Sequence, residues 1–233
     1  MRTRRLYLNR LDPEHTDGDD VVVVIDVLRS FSTAAYAFAA GARAIHPVET
    51  VAEAFALQRQ LPHAITTGAI AGGDPVPGFD FGNSPSRLAG ADLRGKELIQ
   101  TTAAGVRGLL RFAHARAAFA GSLVCARATA AAIRRLSPQQ VTLLVTGEWV
   151  DRDGDEDAAC ADYLEALLHG ETPDPQRFEQ RVRDSDFGRR FAAGNNPSLP
   201  PADLDLCACA DRFDFSMPVV RRGEHFVLLA ETP

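Results

Sequence analysis

Three acidic residues could bind a metal ion if the fold brings them together. Asp26 directly follows the β-branched run 21–25, and Glu156 and Asp157 begin a helical segment far along the chain. Carboxylate oxygens are the ligands that hard divalent cations prefer, so Glu156 or Asp157 could hold a metal beside Asp26. A structural alternative stays open: acids in a first turn stabilise a helix through its dipole, and Asp26 could simply pair with Arg29.

Two further groups of polar residues could bind an anion. Asn83 and Ser84 precede Pro85 at the expected start of a short helix, and Thr101 and Thr102 end an apolar segment just before another helix. The free N–H groups at helix starts favour anions, and amide and hydroxyl groups add donors. The alternative for the first group is a helix cap followed by a rigid surface loop.

The elements that position these residues begin with the central segment 21–25. Five consecutive β-branched residues predict a strand that is buried on both faces. An alanine-rich helix is expected over 33–40, with Ser30 or Ser32 as its cap. A strand followed by an acid and then a helix would place Asp26 at the carboxyl edge of a parallel sheet, where ligands of α/β proteins bind.

Repeated β-α units surround that strand and predict an α/β fold. We expect a mostly parallel or mixed sheet flanked by helices (α/β/α), with a smaller C-terminal α/β lobe. Further strands are expected over 1–10, 44–48, 64–67, 97–100, 117–120 and 140–146, and further helices over 50–61, 106–113, 122–136 (capped at Ser122) and 156–169.

The remaining segments are expected to be a polar turn over 12–20, a loop over 68–85 and a C-terminal region after 171. The loop should cross the carboxyl edge of the sheet and wall a pocket, with Phe79 and Phe81 buried as anchors. In the C-terminal region we expect a helix over 172–193 outside the core, a half-buried strand over 203–209 and a hairpin formed by 218–222 and 226–229. The chain is then a single unit, 1–233, or two lobes, 1–170 and 171–233.

Charge and composition exclude several classes of protein. The formal net charge of -6 argues against a nucleic-acid partner. The four cysteines lack zinc-site spacing, and the acids over 151–157 place their glycine wrongly for a calcium loop. Residues 1–20 contain no long apolar stretch, so neither a signal peptide nor a membrane partner is expected, and the prediction is a cytoplasmic protein.

Taken together, ordered segments over nearly the whole chain resemble the 2-phosphosulfolactate phosphatase family. The most specific segment is Gly78-Phe79-Asp80-Phe81-Gly82-Asn83-Ser84-Pro85. The other matching segments are Asp26-Val27-Leu28-Arg29-Ser30, Gly41-Ala42 with Pro47-Val48, Thr101-Thr102, Gly121-Ser122-Leu123, Glu156-Asp157, and a final pattern from cysteine through Pro218 to Gly223.

The resemblance implies a magnesium-dependent phosphatase of α/β fold, whose members remove phosphate from 2-phospho-3-sulfolactate on the route to coenzyme M. It implies that Asp26, Glu156 and Asp157 hold Mg²⁺ and that Asp26 and Arg29 are catalytic, with Arg29 neutralising charge on the phosphoryl oxygens. The partner would be a small anionic phosphate or sulfonate substrate, and a homo-oligomer stays open. Substrate binding would fall to Asp80, Asn83, Ser84, Thr101 and Thr102.

Two departures from the family pattern leave a second hypothesis open. The family usually has Gly-Glu-Arg where this chain has Gly68-Ala69-Ile70, and Asn-Gly-Thr where it has Ala104-Gly105-Val106. These changes remove four polar groups that a doubly anionic substrate could use. The alternative is therefore an anion-binding protein that keeps the fold but has altered specificity or no catalysis.

Overall fold

The computed structural model describes residues 1–12, 20–70 and 72–233. Its strands are β1 (Arg2–Tyr7), β2 (Val21–Ile25), β3 (Ala44–Pro47), β4 (Ile65–Gly68), β5 (Phe81–Gly82), β6 (Glu97–Thr101), β7 (Ala117–Gly121), β8 (Gln140–Val145), β9 (Met217–Arg222) and β10 (His225–Leu228). Its helices are α1 (Ser30–Ala39), α2 (Val51–Gln60), α3 (Pro85–Leu88), α4 (Gly105–Phe112), α5 (Ala126–Leu136), α6 (Asp155–Leu168), α7 (Pro175–Asp184), α8 (Asp186–Ala193) and α9 (Pro201–Cys207).

The ten strands of the described residues form one mixed sheet in the order β1-β8-β2-β7-β9-β10-β3-β6-β4-β5. One parallel group contains β1, β8, β2 and β7, and a second contains β3, β6, β4 and β5. The hairpin β9–β10 lies between them and pairs antiparallel with β7 on one side and β3 on the other. The predicted α/β fold is thus confirmed, and the predicted C-terminal hairpin belongs to the main sheet.

The β-branched run forms the centre of the sheet as predicted. All five residues of β2 are fully buried, and alternate side chains point to opposite faces. Val21, Val23 and Ile25 join one hydrophobic cluster, whereas Val22 and Val24 join another. Helices covering both faces therefore explain why no polar residue interrupts this strand.

The predicted serine caps of two helices are wrong. Helix α1 begins at Ser30, and its first N–H donates to the carboxylate of Asp26 rather than to a serine. Ser122 caps no helix, because a short 3-10 turn, Leu123–Cys125, precedes α5. The Ser32 and Ser122 hydroxyls instead hydrogen-bond to each other at 2.7 Å in the core.

The C-terminal region differs from the sequence prediction in two ways. The segment expected as a half-buried strand over 203–209 is helix α9. The segment 172–193 forms α7 and α8, and it does not lie outside the core, because Phe178, Val182 and Phe191 are buried in the first hydrophobic cluster. The amphipathic pattern of these arginine-rich helices was hidden by their high charge.

The glycine-rich segment 68–85 is held in place by its aromatic residues. Phe79 packs edge-on against Phe55, with ring centroids 5.4 Å apart, and Phe81 packs against the second hydrophobic cluster. Both rings are half-buried rather than buried as predicted. Residues 13–19 of the predicted turn lie outside the described part of the chain. No helix among the described residues is long and apolar enough to span a membrane.

Candidate active site

A cavity of about 590 Å³ opens where β2 and β6 end. Of the predicted site residues, Asp26, Arg29, Asn83 and Thr102 line it. The sheet must curve to bring these residues together, because four other strands separate β2 from β6 in its order. The position agrees with the general rule that ligands of α/β proteins bind at the carboxyl ends of strands.

Asp26 is fixed at the wall of the cavity by Ser30. Its Oδ1 accepts the Ser30 N–H at 2.9 Å, and its Oδ2 accepts the Ser30 hydroxyl at 2.7 Å. The same hydroxyl lies 2.9 Å from Thr102 Oγ1, which joins the ends of β2 and β6. A Cβ at Gly105 would lie only 2.6 Å from Asp26 Oδ2, so glycine is required at the start of α4 for this close approach.

Arg29 pairs with Asp203, so the sequence-based alternative of an Asp26–Arg29 pair is wrong. Its Nη1 donates to Asp203 Oδ2 at 2.7 Å, and its Nη2 donates to the Gly73 carbonyl at 3.2 Å. The guanidinium lies over the ring of Phe191, 5.1 Å from its centroid. Only 4% of the Arg29 surface is exposed, so these partners hold the charge in one orientation at the cavity.

Asp203 is a site residue that the sequence did not reveal. It is completely buried, and its Oδ1 accepts from the Ser84 hydroxyl and from the Ser86 N–H, both at 2.9 Å. Asp203 therefore ties α9 to Arg29 and to the start of α3. The two prolines at 200 and 201 could have indicated a helix start here, since proline is favoured in a first turn.

Asp157 joins the ends of β2 and β8. Its Oδ1 accepts the Val27 N–H at 2.7 Å, and its Oδ2 accepts the N–H groups of Gly147 at 2.7 Å and Thr146 at 3.2 Å. Burial raises its pKa well above the usual range, and the charges of Asp26 and Glu156 raise it further. Both oxygens are thus already used in positioning the segment that carries Asp26.

Glu156 is a deeply buried carboxylate with one unsatisfied oxygen. Only 1% of its surface is exposed, and its Oε2 has no hydrogen-bond partner among the described residues. Burial raises its pKa to about 7. A hydrogen bond from its own backbone N–H and the charge of Arg152 oppose this rise, and the charges of Asp153 and Asp26 add to it. A Cβ at Gly147 would lie 2.6 Å from its Oε1, so the chain leaves space for this carboxylate.

The carboxylates of Asp26 and Glu156 suit a hard cation, although the protein alone does not supply a full set of ligands. No three His, Cys, Asp or Glu side chains of the described residues come close enough to hold a metal by themselves. Mg²⁺, however, usually keeps several waters and takes only one or two carboxylates. The Oε2 of Glu156 has no partner among the described residues, and the pKa of this carboxyl group is raised by burial and, to a smaller extent, by the charge of Asp26. A cation would stabilise the ionised form of this group.

Three of the predicted substrate residues do not line the cavity and are engaged elsewhere. Asp80 Oδ2 accepts from the N–H and the hydroxyl of Thr66, both at 2.8 Å, and so braces the loop. The hydroxyl of Thr101 donates to the Glu49 carbonyl at 3.3 Å, and Ser84 donates to Asp203. By contrast, Asn83 lines the cavity, and its buried Oδ1 has no partner among the described residues.

Further side chains at the cavity come from two segments that the sequence did not connect to it. The turn after β8 contributes Arg152, whose guanidinium lies over Phe187 of α8, 4.6 Å from the ring centroid. Arg190 of α8 pairs with Asp151 of the same turn at 2.9 Å. The cation–π contact of Arg152 with Phe187 and the Arg190–Asp151 ion pair thus connect α8 to this turn.

Fold and site together define an α/β protein with a cavity at the sheet edge, lined by arginines and by Asp26. The chain belongs to the 2-phosphosulfolactate phosphatase family, since the family model described as 2-phosphosulpholactate phosphatase matches residues 8–198. This confirms the resemblance inferred from the motifs.

Two relatives illustrate the relationship. A "Probable 2-phosphosulfolactate phosphatase" of Bacillus subtilis (strain 168) is 33% identical over 206 residues, which cover 88% of this chain and 89% of the relative. A protein of the same name from Carboxydothermus hydrogenoformans is 41% identical over 150 residues, 64% of this chain and 61% of that protein.

Proposed function

We propose that this protein is a magnesium-dependent phosphatase that hydrolyses a small anionic phosphomonoester, 2-phosphosulfolactate or a related 2-phospho acid. Family membership and the names of the relatives support the reaction and its substrate. The observation that carries the proposal is Asp26 in the cavity wall, whose charge adds to the raised pKa of the buried Glu156 carboxyl group, and the Oε2 of Glu156 that has no hydrogen-bond partner among the described residues. Family membership alone supports a cytoplasmic place on the route to coenzyme M.

Asp26 and Glu156 would hold Mg²⁺, and Asp157 would keep the strand ends that carry them in place. When bound, the cation polarises the phosphoryl group and lowers the pKa of its water. A cation here would offset the repulsion between the carboxylates of Asp26 and Glu156. The backbone N–H groups of Val27 and Thr146 that donate to Asp157 partly oppose the rise in its pKa.

The anion would be bound by Arg29, Asn83 and Thr102. Arg29 lies at the cavity with its guanidinium fixed by Asp203, so it needs no reorganisation to offset charge on the phosphoryl oxygens. The start of α4 adds its backbone dipole near Thr102. In the reaction the water oxygen bonds to phosphorus, the ester P–O bond breaks, and the alkoxide takes a proton to give the 2-hydroxy acid and inorganic phosphate.

Phosphate release from 2-phosphosulfolactate and a panel of small phosphate esters tests the proposal. We expect release that requires Mg²⁺ or Mn²⁺, and its absence for every ester would refute a phosphatase. The alternative, an anion-binding protein without catalysis, is favoured by Ala69, Ile70 and Ala104 at the cavity. Under that alternative, phosphate or a sulfonate would raise the melting temperature although no ester is turned over.

A further inference from the structure

One part of the cavity wall is apolar and includes two large exposed side chains. Its side chains come from three separate segments: the loop after β4, the turn after β8, and α8 with the chain that follows it. They are Ala69, Ile70, Trp149, Phe187, Ala193 and Leu199. Ile70 is 46% exposed and Trp149 is 54% exposed, which makes them two of the few large apolar side chains of the described residues that face solvent. Exposed apolar surface of this kind at a concave site commonly marks a place where a ligand is buried.

Local hydrogen bonds hold the exposed tryptophan in position. The N–H of Trp149 donates to the Arg152 carbonyl at 3.1 Å, and the Arg152 N–H donates back at 3.3 Å, which closes a tight turn. The Arg152 guanidinium then lies on Phe187 of α8. The backbone that carries the indole is therefore fixed by a closed turn, and the indole lines the cavity.

The charged side chains at the cavity suit fewer anionic groups than 2-phosphosulfolactate carries. Three arginines and two aspartates line the cavity, and the two charges of the proposed Mg²⁺ bring the net charge to +3. Arg29 already pairs with Asp203, and Arg190 already pairs with Asp151. A phosphate carries about two negative charges at neutral pH, and a carboxylate and a sulfonate would add one each. An apolar substituent in place of the sulfonate removes one of these charges.

We propose that the preferred substrate of this site is a 2-phospho acid whose third carbon carries an apolar, aromatic substituent instead of a sulfonate. This inference rests on the proposed function and names the substrate class. The phosphate lies near Asp26 and Arg29, and the ring covers Ile70 and Trp149, which removes their apolar surface from water. The cavity volume of about 590 Å³ falls within the range of roughly 300–1,000 Å³ in which pockets enclose ligands of such size.

Kinetics with three esters tests the substrate class. The esters are 2-phospho-3-phenyllactate, 2-phospholactate and 2-phosphosulfolactate, assayed with Mg²⁺. We expect kcat/KM for the phenyl ester to exceed both others at least 10-fold, because even one methylene in an apolar pocket changes this ratio about 10-fold or more. Equal or faster hydrolysis of the sulfonate or methyl ester overturns the inference and leaves the phosphatase function intact.

Binding of non-hydrolysable analogues, followed by tryptophan fluorescence, tests the inference even if no ester is hydrolysed. Trp149 is the only tryptophan of the chain, so its fluorescence reports directly on this wall. The ligands are the phosphonates in which CH₂ replaces the ester oxygen of the phenyl and sulfonate compounds. We expect the phenyl phosphonate to shift the emission to the blue and to bind at least 10-fold more tightly. Equal affinity, or an unchanged spectrum on saturation, overturns the inference.

Matched variants locate the effect. Trp149→Ala should reduce the preference for the phenyl over the methyl ester from at least 10-fold to about 3-fold or less. The control is Val150→Ala, because Val150 is fully exposed beside Trp149 and does not line the cavity. It should keep the preference of the unaltered protein. A preference that survives Trp149→Ala, or that Val150→Ala also removes, overturns the assignment of this wall.

Discussion

Replacing Glu156 with glutamine removes an ionisable group from the most buried part of the site while keeping its shape. In the metal-free protein the pKa of this carboxyl group rises from an ordinary value of 4.5 to about 7 on folding. Each pKa unit corresponds to about 1.4 kcal/mol, so ionisation costs about 3 kcal/mol of folding stability at pH 8. The cost is absent below pH 4.5, where the group is protonated in both states, and it grows as pH rises toward 7.

The expected result is a variant that is more stable than the unaltered protein at pH 8, and more stable by a much smaller amount, or not at all, at pH 5. The buried amide retains some cost, so about 3 kcal/mol is an upper limit. For a chain of this length it corresponds to roughly 6–12 °C in melting temperature. The assay is thermal unfolding in EDTA at both pH values, with Glu171→Gln as control because Glu171 is exposed just after α6. Added Mg²⁺ should then raise the melting temperature of the unaltered protein and not that of Glu156→Gln.

Two outcomes would refute this reasoning. A variant that is less stable at pH 8 would mean that the ionised carboxylate has favourable partners in the folded protein. A difference in melting temperature that is the same at pH 5 and pH 8 would mean that ionisation of Glu156 is not its cause. Either result would remove Glu156 from the proposed metal ligands.

Three other predictions concern packing, the buried ion pair and the thiols. Gly147→Ala should lower the melting temperature and weaken Mg²⁺ binding, because its Cβ would lie 2.6 Å from Oε1 of Glu156. The control Gly90→Ala should leave both unchanged, because a Cβ there has no atom within 4 Å. Asp203→Asn should cost about 3 kcal/mol in urea unfolding and raise KM, since Arg29 loses its buried counter-charge; an unchanged KM would argue against a role of this pair in anion binding. Ellman's reagent should find one reactive thiol in the native protein, Cys209, and four after unfolding, because burial raises the pKa of the other three thiols.

The sequence predicted the centre of the molecule because its signals there are local. Residues 21–25 have only one good explanation, a strand covered on both faces, and Asp26 and Arg29 follow it directly. The same logic of strand followed by helix start found Thr102 and Asn83 at the cavity. It also selected Thr101, and the family resemblance selected Asp80. Neither lines the cavity, because adjacency in sequence does not say which way a side chain points once its neighbours offer hydrogen bonds.

The contribution of α9 could not be predicted from short-range pattern. The alternation over 203–209 is that of a strand, yet Leu204 and Cys207 are also three residues apart, as on one face of a helix, and both are buried. Seven residues are too few to separate the two periods. The role of Asp203 depends on Arg29, 174 positions earlier, and no local feature records such a contact.

Phosphate release and Mg²⁺ affinity measured together on the unaltered protein and on Asp26→Asn test the central claim most directly. The substitution is nearly isosteric, but it removes a charge worth about 4 kcal/mol at contact distance before desolvation is subtracted. We predict Mg²⁺-dependent phosphate release by the unaltered protein, and a loss of both turnover and Mg²⁺ affinity by orders of magnitude in a variant that remains folded. No release with Mg²⁺ or Mn²⁺, or an Asp26→Asn variant that is less stable with unchanged Mg²⁺ affinity, would contradict the account.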